Sequence, residues 1–185
     1  MIDLKKTALP QTIIVGGGRF RIRTDFRYFL RFAEHLQEKD TKPEDYDYMY
    51  IDGAPTDRLE GLAKLVEFMQ PPQILPRKDK REKGEKVLDY EIDADYIYAA
   101  FWEQYRIDLL GAKLHWYQFC ALLHGLHDTE LNNIINARLW KPTGKRGEYE
   151  KSREKQYEAW RLPQPEDDEP DEALDDFLGN LEQRG

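Results

Sequence analysis

Cysteine is nearly absent from this chain: Cys120 is the only one, which excludes an internal disulfide framework and fits a reducing compartment. Long apolar runs are also missing. Nothing approaches the ~20 apolar residues that span a bilayer, so no transmembrane helix is expected. Met1 to Pro10 lack the apolar stretch of a secretory signal, and no export is expected. Gly16, Gly17 and Gly18 are followed by no Lys-Ser/Thr pair, and their spacing fits neither a dinucleotide fingerprint nor a phosphate-binding loop, so they read as a tight turn. Cys120, His124, His127 and Asp128 are the best candidates for a metal, with Cys120 and His124 on one helical face. A second Cys/His cluster to complete a zinc site is lacking, so a core cysteine beside helix-end histidines is the plainer reading. Asp89, Glu91, Asp93 and Asp95 alternate as paired catalytic carboxylates can, but they precede and open a helix, where Asp serves capping and the helix dipole. Neither an enzyme nor a cofactor is expected.

Positive charge is scarce at one end. From Gln164 to Gly185 there are nine acids and a single base, Arg184, against 36 acids and 28 bases in the whole chain, so residues 1–163 are balanced and the tail carries the whole net charge of −8. A neutral body argues against non-specific binding to nucleic acid, whose affinity comes mainly from Lys and Arg neutralising phosphates. The tail also has a pattern. Leu174, Phe177, Leu178 and Leu181 recur at helical spacing within 171–182, after Pro163, Pro165 and Pro170. A helix that short is marginal alone in water, so the tail is expected to be disordered. It serves either as a recruitment segment that folds on a partner or as a solvated appendage.

At 185 residues the chain can bury one core. Thr12–Val15 and Arg19–Arg23 alternate apolar and polar residues about the glycines, the period-2 signal of a half-buried hairpin. Thr24 is the expected cap of a first helix, with Phe26, Phe29, Leu30, Ala33 and Leu36 along one stripe. Residues 40–55 read as a loop. Thr56 or Asp57 opens a second helix with Leu59, Leu62, Ala63, Val66 and Met69 inward, ended by Pro71 and Pro72. A charged stretch at about 73–88 reads as a mobile loop within the domain. Asp93 or Asp95 opens a third helix, with Ala94, Ile97, Tyr98, Phe101 and Tyr105 on one face. Leu114–Leu123 is apolar almost all round apart from His115 and Gln118, which suits a central helix. Asp128 is the expected cap of a fifth, with Leu131, Ile134, Ile135 and Leu139 inward, and Glu148–Trp160 forms a more polar sixth whose Tyr149, Gln156, Tyr157 and Trp160 face the body. The fold class expected is mainly α: a single-domain helical bundle over 1–163 with an N-terminal β-hairpin and an acidic tail, 164–185.

Aromatic residues are plentiful and unevenly spread: nine of 23 fall between Tyr90 and Phe119. Within that stretch lie Tyr96-Ile-Tyr-Ala-Ala-Phe101, Gln104-Tyr-Arg-Ile-Asp-Leu109, and the Leu114-His-Trp-Tyr-Gln-Phe119 run that ends at Leu126. Asp25 to Phe32 adds an Asp-Phe-Arg-x-x-Leu-x-Phe helix. These motifs resemble a family of small bacteriophage proteins encoded with the tail genes of long, non-contractile-tailed phages and regarded as tail assembly chaperones; the likeness spans roughly residues 13–162, with Tyr117 where the family pattern has a second Trp. The resemblance implies a protein of the host cytoplasm, absent from the mature virion, that keeps the tape measure protein soluble until tube subunits polymerise around it. It implies the tail tube protein as a further candidate partner and brings no catalytic residues or cofactor.

Candidate partner-binding residues are Tyr98, Trp102, Tyr105 and Tyr117 in the aromatic stretch, Leu174, Phe177, Leu178 and Leu181 in the tail, and Arg19, Arg21, Arg23, Arg27 and Arg31. The arginines occupy alternate strand positions and then i, i+4 helix positions, so they either align as one docking surface for an acidic partner or form a solvated face paired with acids. The alternative function is a helical DNA-binding or regulatory phage protein that uses this arginine surface.

Overall fold

The computed structural model describes residues 2–38, 40–70, 86–143 and 147–163. The expected acidic tail and most of the charged loop lie outside the described residues. The chain is mainly helical with an N-terminal antiparallel hairpin, as expected. It divides into two compact units, residues 1–85 with 90–132 and residues 86–89 with 133–185.

The first unit starts with β1 (Thr12–Val15) and β2 (Gly18–Arg21), in the register Thr12↔Arg21 to Val15↔Gly18. Gly16 and Gly17 have φ of +54° and +77°, the left-handed pair that a two-residue hairpin of matching twist requires. Ile13 and Val15 are buried and Ile14 is exposed, so the alternation read from sequence holds. Beyond the strand, Ile22 bridges to Tyr50.

Helix α1 (Phe26–His35) is capped by Asp25, whose carboxylate accepts from the Arg27 N–H. Thr24, the expected cap, instead offers its carbonyl to the Trp116 N–H at 2.7 Å. Phe26, Phe29 and Phe32 form the buried stripe. The expected loop holds a 3-10 helix, Pro43–Met49, that buries Tyr46 and Met49. The Tyr46 hydroxyl donates to the carbonyl at the end of α1, His35 O, at 3.2 Å.

Helix α2 (Arg58–Met69) is capped by Asp57 and turns a different face inward than expected: Gly61, Leu65 and Phe68 are buried, and Leu59 is 70% exposed. The deciding residue is Gly61. A Cβ there would lie 2.6 Å from the Tyr50 hydroxyl and 2.7 Å from a Pro55 ring carbon, so only the bare backbone allows this close approach. Aliphatic spacing pointed to the stripe of Leu59, Leu62, Ala63, Val66 and Met69, but the glycine contact and the large Phe68 ring set the rotation.

Helix α3 (Ala94–Tyr105) follows buried Asp93 and buries Ile97, Ala100 and Phe101. Ala94 is exposed, while Tyr98 and Tyr105 are half-buried. The helix closes on Arg106 in the left-handed conformation, φ +56°. Helix α4 is Trp116–Gly125, two residues later than expected at each end. His115, read as a polar break inside it, is its cap: Nδ1 accepts from the Tyr117 N–H at 3.0 Å, and the Gln118 amide oxygen accepts from the His115 N–H. Helix α5 (Glu130–Arg138) is preceded by Thr129 rather than capped by Asp128, and the Thr129 hydroxyl accepts from the Asn132 N–H.

In the second unit, buried Arg138 donates to Trp160 O at 2.6 Å and to Val87 O at 3.1 Å. These bonds fasten the segment 86–89 to the end of α6 (Glu148–Trp160). That helix spans the expected residues but has none buried, and Tyr149 is 76% exposed. Its first-turn Glu150 accepts from the N–H and hydroxyl of Thr143.

Candidate functional site

A column of rings crosses the first unit and fixes the orientation of its helices. Phe29 stacks on Phe68 at 5.5 Å and on Trp116 at 5.3 Å. Phe119 stacks on Phe26 at 4.6 Å and Phe101 at 5.4 Å, and Phe68 stacks on Tyr117 at 4.8 Å. One residue column thus joins α1, α2, α3 and α4 through offset aromatic contacts, each worth about 0.5–1.5 kcal/mol beyond area burial. Tyr117, a candidate contact residue, belongs to this column. It is 7% exposed, and burial pushes its hydroxyl up to about 12. Its ring is spent on Phe68, so it offers no surface to a partner.

The other three aromatic candidates are on α3 and differ from one another. Tyr105 is half-buried and donates to Leu122 O at 2.9 Å, so it ties α3 to α4. Gln104 beside it closes the same junction, donating to Gly125 O and accepting from the His127 N–H. Tyr98 is half-buried, and its phenol is raised by burial first and then by the Asp108 carboxylate that it meets through charge and a hydrogen bond. Trp102, one turn on, is 49% exposed. Trp102 is the most exposed ring of the aromatic stretch.

The turn that follows carries an exposed residue of its own. Asp108 accepts from the Leu110 N–H at 2.9 Å, and the Leu110 side chain is 82% exposed. Arg27 on α1 holds the turn from behind, with one guanidinium nitrogen donating to Leu109 O (2.6 Å), Leu110 O (3.0 Å) and Ala112 O (3.0 Å). Its other terminal nitrogen meets both Asp25 oxygens at 3.1 Å. Nothing in the sequence pattern marked Leu110, because a lone exposed leucine has no period. The exposed charged residues of α3 and the turn after it are Asp95, Glu103, Arg106, Asp108 and Lys113.

The five arginines do not form one uncommitted cationic surface. Arg21 pairs with Asp52, with one guanidinium nitrogen 2.6 Å from Oδ1, and Arg27 is used as just described. Arg23 donates to Tyr48 O and lies over the Tyr28 ring at 5.3 Å; Arg31 lies over the Tyr48 ring at 4.8 Å. Arg19 is exposed opposite Ile14 on the hairpin's outer face. Leu174, Phe177, Leu178 and Leu181 lie outside the described residues.

Burial pushes the Cys120 thiol up to about 12, so it carries a proton at neutral pH. Among the described residues no group of three or more His, Cys, Asp or Glu is placed to hold a metal. Nor is any described helix long and apolar enough to cross a membrane.

Residues 6–162 match the family described as Bacteriophage Gp15 protein. The chain belongs to that family. The match covers the hairpin, both motif-bearing helices α3 and α4, and the Arg27-held turn, and stops before the acidic tail. Comparison with curated proteins and with solved structures gave no match.

Proposed function

We propose that this phage protein is a tail assembly chaperone: it binds the tape measure protein and keeps it soluble until the tail tube polymerises. The observation that supports this reading is exposed Trp102, with half-buried Tyr98 one turn before it. They lie in the stretch that carries the family motifs, on a helix whose opposite side is anchored in the ring column. A long helical client with exposed apolar stripes aggregates unless it is covered, and a rigid aromatic surface gives that cover without any chemical step. The protein would act in the host cytoplasm and be absent from the finished virion.

Co-expression with the tape measure protein of the same phage tests the proposal. Soluble yield of the client should rise with this chain present; equal yield with and without it overturns the proposal. The DNA-binding alternative draws on Arg19 and Arg31, since Arg21, Arg23 and Arg27 are held by Asp52, Asp25 and backbone carbonyls. A salt-dependent mobility shift with duplex DNA would favour it.

A further inference from the structure

The hairpin has one edge in use and one open. In an antiparallel pair, residues whose backbone groups bond across the ladder alternate with residues whose groups point away from it. Val15 and Gly18 close the two-residue turn, and the Ile22 N–H donates to Gln11 O at 3.0 Å, so residues 11, 13 and 15 bond inward to β2. Thr12 and Ile14 then point their N–H and C=O groups outward along β1. The corresponding groups of β2 have a partner: Arg21 O accepts from the Ile51 N–H at 3.0 Å, and the Arg23 N–H donates to Met49 O at 2.8 Å. Among the described residues no hydrogen bond reaches Thr12 or Ile14 from outside the hairpin.

The open edge is unguarded. Natural edge strands are kept from pairing by a charge, a proline or a bulge. β1 reads Thr-Ile-Ile-Val, all β-branched and uncharged, its register with β2 is unbroken, and Ile14 is 50% exposed on the outer face. The edge is also short. Pro10 comes before it, and the Gly16 N–H beyond it donates to the Glu60 carboxylate at 2.9 Å. A second β1 fits these limits. Running antiparallel about a two-fold axis at Ile13, it sets Thr12 of each copy opposite Ile14 of the other, and each such pair exchanges both backbone bonds. The outer face then pairs β-branched side chains across the junction. Charge allows the arrangement, because Arg19 opposite Ile14 and Arg21 opposite Thr12 both lie on β2, one strand in from the edge. The arginines of two copies are three strand spacings apart, about 14 Å, beyond the ~8 Å over which exposed charges act at physiological salt.

We propose that the outward edge of β1, through Thr12 and Ile14, is a dimer interface that pairs with β1 of a second copy of this chain. A two-stranded ribbon is marginal by itself, and the pairing joins two ribbons into one sheet. The edge of β2 is already used by the segment 49–51, so strand pairing closes at two copies instead of continuing into a fibre. The interface uses neither Trp102 nor a client and stands independently of the chaperone reading.

Sedimentation equilibrium of the full-length chain tests the proposal, and a dimer that dissociates on dilution is expected. Thr12→Glu with Ile14→Glu sets like charges against each other across the interface, while within each hairpin the new carboxylates face Arg21 and Arg19. The melting temperature should therefore hold while the dissociation constant rises by about tenfold or more. Thr12→Lys with Ile14→Glu should restore the dimer, because this register puts each Lys opposite a Glu of the other copy. Amide exchange reads the edge directly: Thr12 and Ile14 should exchange slowly in the dimer and fast in the doubly acidic variant. A wild-type chain that stays monomeric up to about 100 μM, or a dimer that the doubly acidic variant leaves intact, overturns the proposal. Two monomeric results overturn it by naming another occupant. Slow exchange at both amides in the monomer gives the edge to another segment of the same chain, and exchange that slows only in complex with the tape measure protein gives it to the client.

Discussion

Trp116 and Trp102 are fourteen positions apart in the same aromatic stretch and do opposite things. Trp116 is 4% exposed, stacks on Phe29 and Phe119, and donates its indole N–H to Met69 O at 2.9 Å. Trp102 is half in water and takes no part in the ring column. The donor of one is satisfied by a helix carbonyl inside the unit; about half of the other's surface faces water. Aromatic density in a sequence therefore records two demands added together, one for a core and one for a surface, and the backbone separates them.

The largest effect that would test this contrast is Trp116→Ala. Loss of the ring should destabilise the first unit by about 3–5 kcal/mol, read as a lower denaturant midpoint. A midpoint unchanged from wild type would make Trp116 a surface residue and remove the contrast. Arg27→Met comes next. It removes the guanidinium that lies over the Phe26 ring and leaves the carbonyls of Leu109, Leu110 and Ala112 without their donor, and should cost about 1–3 kcal/mol, read as a lower denaturant midpoint. An unchanged midpoint would remove Arg27 from the role of holding the turn.

His115 sharpens the contrast on the buried side, since it caps the helix that carries Trp116. Burial holds its imidazole below the ordinary 6.5. The geometry demands the same neutral form, because Nδ1 must keep a lone pair for the Tyr117 N–H while Nε2 lies 2.8 Å from Pro10 O. The unfolded chain takes up a proton once pH falls below about 6.5 and the folded chain resists it, so this contribution is complete above that pH and is lost as pH falls through the depressed folded value. His115→Asn retains a cap acceptor, and stability near pH 8 should change by less than about 1 kcal/mol while part of the decline below pH 6.5 disappears. An identical pH profile in the variant would exclude His115 as its source. The smallest effect belongs to Trp102→Ala, within about 0.5 kcal/mol of wild type in stability. A large loss there would return Trp102 to the core.

Much of this was legible in the residues. The hairpin, the helices from α1 to α6 and the burial of Trp116 follow from period, glycine placement and apolar density. What could not be read depends on contacts far apart in sequence. Gly61 sets the face of α2 only because Tyr50 and Pro55 come to it, and the 3-10 helix at Pro43–Met49 is ordered by Tyr46 reaching the end of α1. Caps moved by one residue at Asp25 and Thr129 because neighbouring Thr and Asp are almost equally able to serve. Alternating arginines suggested one surface, but spacing says nothing about which guanidinium will find a backbone carbonyl. Trp102 and Leu110 are each exposed, one on a helix and one on the turn after it, and a lone exposed apolar residue has no local signature.

The junction of Asp25 with His115 has a consequence for how the protein is made. Phe26 N–H reaches Leu114 O and Trp116 N–H reaches Thr24 O, so the starts of α1 and α4 are stitched together directly. Closing the chain between those positions costs about 4 kcal/mol of loop entropy before the ring column can repay it, and such distant pairing slows folding. On the ribosome, Phe26, Phe29 and Phe32 emerge long before Trp116 and Phe119 exist to cover them. During its own synthesis the nascent chain presents an uncovered aromatic stripe, the same hazard that it is proposed to relieve in its client.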